Sequence, residues 1–192
     1  NSTNCVIENG EKVAIIGENG CGKSSINKSS MNGDKDIKLG GNQHIGYLSQ
    51  IIEFEDKKQN VLNYFMSSTG LDEEQARSIL FNMQFFKSDV IKSVGSLSGG
   101  EKIRLKLAVM LQQDINFLIL DEPTNHIDID TREVLEDTLR DFKGTILFVS
   151  HDRYFINKLA SKVVEFYNHK LYTFYGNYDD YLLDRENVHL KY

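Results

Sequence analysis

Short apolar runs alternate with amphipathic stretches along most of the chain. Four runs are too short for helices and predict buried parallel strands, at Val13–Ile16, Ile45–Leu48, Phe117–Leu120 and Thr145–Val149. Other apolar residues recur at helical spacing, namely Ala76, Ile79, Leu80 and Met83, and then Val134, Leu135, Leu139 and Phe142, with Gly144 expected to end the second helix. Strands that alternate with helices predict an α/β fold built on a parallel sheet.

The strand signal disappears in the middle of the chain. Between Ile51 and Ser96 helical spacing dominates instead. Residues 51–115 are therefore predicted to form a small helical lobe, inserted in the core of a single domain that covers residues 1–192.

The C-terminal part carries a different pattern. Val163–Tyr167 and Leu171–Tyr175 flank Asn168 and His169, which predicts a closing antiparallel hairpin because Asn tolerates the left-handed turn conformation. Residues 182–192 are charged with few apolar positions. They suit the start of a linker helix and a solvated C-terminal helix equally well.

Composition narrows the class of protein. The chain has 192 residues, 40% of them hydrophobic and 26% charged, with a net charge of −6, which is typical of a globular domain. No apolar run approaches the ~18 residues that span a bilayer, and the negative charge gives no general attraction to nucleic acid. Cys5 and Cys21 form no CxxC pair, so neither a disulfide framework nor a zinc site is predicted, and a reducing, cytoplasmic location is favoured.

A phosphate-binding loop follows the first predicted strand. The segment from Gly17 to Ser24 reads GENGCGKS and fits the GxxxxGK[ST] pattern in the context it requires, after a strand and before a helix. Backbone N–H groups of such a loop surround phosphates, the lysine neutralises their charge and the serine hydroxyl joins the Mg²⁺ shell. The residues expected to bind nucleotide here are Gly17, Asn19, Gly20, Cys21, Gly22, Lys23, Ser24 and Ser25.

Two carboxylates end a buried strand. Phe117–Leu120 leads directly into Asp121 and Glu122, which a parallel sheet places at its carboxyl edge, beside the phosphate loop. Asp121 is predicted to hold Mg²⁺, with Ser24, and Glu122 to orient and polarise an attacking water.

A capped helix gives a second phosphate-binding candidate. Ser98 and Glu101 in the segment LSGGE satisfy the capping-box pattern, and a buried helical stripe follows over Lys102–Gln113. The pattern is explained by capping alone, yet the Ser98 hydroxyl with the Gly99 and Gly100 amides also forms an anion site.

Taken together, the phosphate loop, LSGGE, LILDEP and a strand-terminal SHD resemble the ABC ATPases in order and over nearly the whole chain. The resemblance implies a P-loop NTPase, RecA-like core, ATP and Mg²⁺ as ligands, and a second ABC domain as partner. Ser98, Gly99 and Gly100 would contact the γ-phosphate held by that other domain, which Asp128 would also touch. Gln50 would reach Mg²⁺ and the attacking water, and His151 would sense the γ-phosphate.

Further residues resemble one branch of this family, ABC-F. The segment EPTNHID from Glu122 to Asp128, SHDRYF from Ser150, and GNYDDY from Gly176 are similar to its motifs. ABC-F proteins carry two ATPase halves, lack membrane domains and commonly act on the ribosome, some by protecting it against antibiotics. The resemblance implies that this chain is one half, with ribosome or rRNA as partner and the adenine-stacking aromatic upstream of Asn1.

Other functions of the same chemistry remain open at this stage. The alternatives are an ATPase subunit of an ABC transporter, a chromosome-maintenance ATPase head, and a nucleotide-dependent scaffold without turnover. The EPTNH and GNYDDY segments argue against the transporter, and the short distance from phosphate loop to LSGGE argues against the second class. The residue pair Glu122 and His151 argues against a scaffold. The short spacing from Gln50 to Leu97 favours a second half, or a first half without a helical arm.

Overall fold

The computed structural model describes residues 5–17, 41–168 and 170–189, with side chains up to residue 185 in the last range. The strands are β1 (Lys12–Gly17), β2 (Ile45–Leu48), β3 (Phe117–Asp121), β4 (Thr145–Val149), β5 (Lys162–Tyr167) and β6 (Lys170–Tyr175). The α-helices are α1 (Val61–Thr69), α2 (Glu73–Asn82), α3 (Gly99–Met110), α4 (Ile129–Asp141), α5 (Arg153–Leu159) and α6 (Tyr178–His189), and a 3₁₀ helix covers Val94–Ser96.

One sheet runs through the described residues in the order β2-β3-β4-β1-β5-β6. All neighbours pair in parallel except β5 and β6, which form an antiparallel hairpin. Asn168 turns this hairpin with a φ of 49°, as its tolerance of the left-handed region predicts. The predicted α/β fold with a closing hairpin is therefore confirmed.

Helix α3 joins two hydrophobic clusters. Ile103, Leu107 and Met110 pack against the sheet with α4 and α5. Leu105 and Ala108, on the opposite side of the same helix, pack with the apolar residues of α1 and α2. Since both faces are covered, α3 fixes the position of residues 49–116, which connect the neighbouring strands β2 and β3.

Two predicted helix ends are wrong. The buried stripe was expected to run to Gln113, but α3 ends at Met110 and Leu111 is its C-cap. Helix α4 ends at Asp141 and its C-cap, Phe142, is extended, so Gly144 does not end the helix. Gly144 is needed for space instead, since a Cβ there would run into the backbone carbonyl oxygen of Asn116.

Candidate functional site

The carboxyl edge of the sheet gathers the residues predicted to act on nucleotide. Register pairs Leu48 with Leu120, Asp121 with Val149, and Ile15 with Val149. The segments after β2, β3 and β4 therefore leave the sheet at the edge where β1 ends with Gly17, whose φ is 155°. The other residues predicted to bind nucleotide in the phosphate loop lie outside the described residues, namely Asn19, Gly20, Cys21, Gly22, Lys23, Ser24 and Ser25.

Glu122 is held at this edge by its backbone and its side chain. Its N–H donates to the carbonyl oxygen of Val149 at 3.0 Å, and its φ of 51° lies in the left-handed region. The carboxylate Oε1 lies 3.3 Å from Nε2 of His151, and the Glu122 side chain is only 12% exposed. Its other oxygen, Oε2, is buried and has no hydrogen-bond partner among the residues that the structure describes. A buried acceptor without a donor is costly, so this oxygen is suited to a water or ligand.

Asp121, the last residue of β3, lies directly before Glu122. The hydroxyl of Tyr47 donates to Asp121 Oδ2 at 3.3 Å. Burial, and then the neighbouring Asp121 carboxylate, raise the pKa of the Tyr47 hydroxyl. Gln50 follows β2 and is exposed.

The donors at this edge fit a magnesium ion. Mg²⁺ prefers carboxylate, amide and water oxygens and usually takes only one or two protein ligands alongside phosphate oxygens. Asp121 and Gln50 provide such oxygens. Within the described ranges no group of three or more His, Cys, Asp or Glu side chains could hold a metal ion, so an all-protein cage is not formed there.

Ser98 caps α3 as the sequence predicts. Its hydroxyl accepts from the Glu101 N–H at 3.2 Å, and the Glu101 carboxylate accepts from the Ser98 N–H at 2.7 Å. Burial alone would raise the pKa of Glu101, but the hydrogen bonds from Ser98 and from Lys92 outweigh it and hold the pKa below its ordinary value. Ser98 and Gly99 are exposed.

The LSGGE turn lies against the start of α4. A Cβ on Gly100 would approach Oγ1 of Thr131 to 2.9 Å, whereas a Cβ on Gly99 would meet nothing within 4 Å. Asp128 caps α4 by accepting from the Thr131 N–H at 2.8 Å and its hydroxyl at 2.9 Å. These hydrogen bonds, led by the backbone one, lower the pKa of Asp128, whose side chain is also exposed beside the turn.

Several polar residues of the site were not identified from the sequence. Besides Tyr47, Thr124 and Ser150 share a buried hydrogen bond at 3.2 Å between the segments that carry Glu122 and His151. Arg132 on α4 pairs with Asp152, which follows His151, at 3.2 Å. The alternation of side chains along paired strands could reveal Tyr47. Tyr47 pairs with Ile119, and residues two apart in a strand point to the same face, so the side chains of Tyr47 and Asp121 share a face of the sheet.

The comparisons with known proteins agree on one protein family. The family described as ABC transporter matches residues 1–125. No helix in the part of the chain that the structure describes has both the length and the apolar character needed to span a bilayer. Among solved structures, the dimeric post-hydrolysis state of the ATP-binding cassette MJ0796 with ADP and Pi shares the fold: TM-score 0.68, 19% identity, 90% of this chain and 88% of that one.

Curated relatives extend the match to the whole chain. YdiF of Bacillus subtilis, named an ATP-binding protein, is 45% identical over 92% of this chain and 28% of its own length. ABC transporter F family member 2 of Arabidopsis thaliana is 38% identical over 95% of this chain and 28% of its own. The ribosome protection protein VmlR of Bacillus subtilis is 31% identical over 99% of this chain and 35% of its own.

The chain thus spans only about a third of the length of the relatives it matches. The sheet, the residues at its carboxyl edge, the capped LSGGE turn and the family match all point to the same family. The chain belongs to the ABC transporter family, as an ATPase domain of P-loop NTPase fold whose relatives include members of the F branch.

Proposed function

We propose that this domain hydrolyses Mg-ATP, with Glu122 as the base that orients and polarises the attacking water and His151 as its partner. The observation that carries this is the Glu122 carboxylate at the sheet edge: one oxygen lies 3.3 Å from His151 Nε2 and the other is buried without a partner. The unpartnered oxygen is free to accept a hydrogen bond from water. A general base needs its acceptor within hydrogen-bond reach of the proton that it takes.

The chemistry is transfer of the γ-phosphoryl group from ATP to water. The water oxygen bonds to the γ-phosphorus while the bond from that phosphorus to the β–γ bridging oxygen breaks, ADP leaves, and the water proton passes to Glu122 Oε2. His151 Nε2 binds a γ-phosphate oxygen and keeps Glu122 in place. The phosphates are surrounded by the residues of the phosphate loop, namely Gly17, Asn19, Gly20, Cys21, Gly22, Lys23, Ser24 and Ser25. Ser24, Gln50 and Asp121 would hold Mg²⁺, which when bound would supply positive charge to neutralise the charge that develops on the phosphate oxygens.

The same domain closes the site of a second ABC domain. Ser98, Gly99 and Gly100 contact the γ-phosphate held by that partner, and Asp128 touches the partner's surface. Support comes from three exposed groups around one contact: Ser98, Gly99 and Asp128 surround the packing of Gly100 on Thr131. Gly99 is exposed at the N-terminus of α3, where backbone N–H groups are suited to bind an anion.

The variant Glu122→Gln tests the catalytic proposal. It keeps the size of the side chain and removes the base, so phosphate release should fall ~10²- to 10⁴-fold while ATP binding is retained. The closed pair of domains should then accumulate, which gel filtration with ATP would detect. Glu133→Gln, an exposed carboxylate on α4, is the matched control. Hydrolysis at the unmodified rate would remove Glu122 from this role.

The partner of the full-length protein is proposed to be the ribosome. Support comes from VmlR, whose name states ribosome protection, and from the similarity to the F family. ATP-driven closure would supply the differential affinity for that target, and hydrolysis would reset it. A ribosomal target would place the protein in the cytoplasm.

Sedimentation with ribosomes tests this role. Full-length Glu122→Gln protein should sediment with ribosomes in the presence of ATP and remain in the supernatant without it. Protection against antibiotics is the more specific form of the role, and it predicts that the unmodified protein restores translation in an inhibited cell-free extract. Co-purification with a membrane subunit, and not with ribosomes, would favour the transporter alternative.

A further inference from the structure

Asp152, the residue after His151, contacts two helices with the two oxygens of its carboxylate. Its Oδ1 accepts from the N–H groups of Tyr154 and Phe155 at 3.0 and 3.2 Å and so caps α5. Its Oδ2 faces Nη1 of Arg132 on α4 at 3.2 Å. The two oxygens therefore bind α5 and α4 at the same time, one residue away from His151.

The backbone N–H of Arg132 donates to the carbonyl oxygen of Asp128 at 3.1 Å, and its guanidinium pairs with Asp152. Its side chain is 33% exposed and that of Asp152 19%, so the pair is partly shielded from water. Within the part of the chain that the structure describes, the Arg132 Nε is buried without a partner. A buried donor without an acceptor is costly, so the contact of Nη1 with Asp152 is the favourable interaction that this guanidinium makes.

Arg132 also lies in the first turn of α4, whose N-cap is Asp128. Movement of this turn would therefore pull on Asp152 and on the backbone that carries His151. The distance from His151 Nε2 to Glu122 Oε1 is 3.3 Å, at the outer range of a hydrogen bond, so a small displacement would break it.

We propose that Arg132 is a positioning residue: its ion pair with Asp152 holds His151 at hydrogen-bond distance from Glu122. This inference rests on the proposed function of Glu122 and His151. It assigns Arg132 no contact with nucleotide, so its loss should affect turnover and leave nucleotide binding intact.

Asp152→Asn and Arg132→Gln break the pair in the full-length protein. Asn caps helices as well as Asp, so the first variant keeps α5 capped and loses only the charge. Each should lower kcat roughly 10- to 100-fold, as a displacement of about 1 Å does, and leave the KM for ATP within about twofold. Arg132→Lys should recover part of kcat. The double variant should be no slower than the slower single one, because both lose the same contact.

Lys158→Met is the matched control. Lys158 pairs with Glu136 at 2.6 Å and joins the same two helices farther from His151. It should lower the melting temperature and leave kcat unchanged. The proposal is overturned if Arg132→Gln lowers kcat no more than this control, or if the losses of the two single variants multiply.

Crystal structures of the variants give a readout that does not depend on activity. The Nε2–Oε1 distance should exceed hydrogen-bond reach in Arg132→Gln and stay near 3.3 Å in Lys158→Met. An unchanged distance in Arg132→Gln overturns the positioning role. Absence of phosphate release by the unmodified protein would overturn the proposed function instead, and the distance would still decide whether Arg132 positions His151.

Discussion

Arg104 is a buried guanidinium that ties α3 to the end of α2. Its Nη1 donates to the carbonyl oxygens of Met83 at 2.7 Å and Gln84 at 3.2 Å, and its guanidinium lies 5.1 Å from the centre of the Phe85 ring. The residue is only 9% exposed. Arg104→Met would keep the apolar stem and leave both carbonyl groups without their donor.

The magnitude follows from these contacts. A hydrogen bond from a charged donor contributes about 1.5–3 kcal/mol, and the longer bond to Gln84 belongs at the lower end. Within the described residues the Arg104 Nε is buried without a partner, so its removal regains about 1–3 kcal/mol. We therefore expect Arg104→Met to lower the free energy of unfolding by about 2 kcal/mol, which corresponds to a decrease in Tm of roughly 4–8 °C.

Urea titration followed by circular dichroism measures this change. Arg104→Lys is the informative comparison, because an ammonium keeps the charge but cannot stack as a plane on Phe85, and we expect it to lose about half as much. A loss below about 1 kcal/mol for Arg104→Met would refute the reasoning, and so would equal losses for Met and Lys.

Three further predictions concern pH, metal and packing. Because the pKa of Glu101 is held below its ordinary 4.5, its contribution to stability is present above that pH and is lost as the pH falls through the lower folded value. Below about pH 4.5 the urea midpoint should therefore fall less steeply with pH in Glu101→Gln than in the unmodified protein. An identical slope in the two proteins would contradict this. Tyr47→Phe removes the hydroxyl that donates to Asp121, so the Mg²⁺ concentration for half-maximal ATPase should rise up to about tenfold, against no change if the hydroxyl is incidental. Gly144→Ala should cost about 1–3 kcal/mol in thermal unfolding because its Cβ meets the Asn116 carbonyl, whereas Gly41→Ala, with nothing within 4 Å, should cost clearly less.

The central strands of the sheet could be predicted closely because they are buried on both faces. Thr145–Val149 matches β4 at both ends, and all five of its residues are buried. Ile45–Leu48 also matches β2 at both ends, although Ile45 and Tyr47 are only partly buried. The end of α3 could not be predicted in the same way. Leu111 continues the apolar spacing, yet it is only partly buried and forms the C-cap, and spacing does not distinguish these cases.

Some residues of the candidate site could be predicted from the sequence and others could not. Asp121 and Glu122 could be predicted at the carboxyl edge, because any parallel strand places its exit there. The contact of Tyr47 with Asp121 could not, since the two are 74 residues apart and only strand register brings them together. No pattern in the sequence links Arg132 to Asp152, although Asp152 lies in the SHD segment. Their ion pair depends on how α4 and α5 pack, which no local pattern contains.

Unfavourable local structure occurs at this same edge. Glu122 and His126 both have positive φ, at 51° and 59°, although neither is glycine. Such conformations cost about 1–3 kcal/mol each and persist only where the surroundings enforce them. Glu122 adds a buried oxygen without a partner, and Arg132 a buried Nε. Stability alone would favour glycine at position 122 and an apolar side chain in place of the carboxylate. A strained glutamate with an unsatisfied oxygen, anchored through Val149 and His151, therefore fits the role proposed for Glu122, in which that oxygen binds the attacking water.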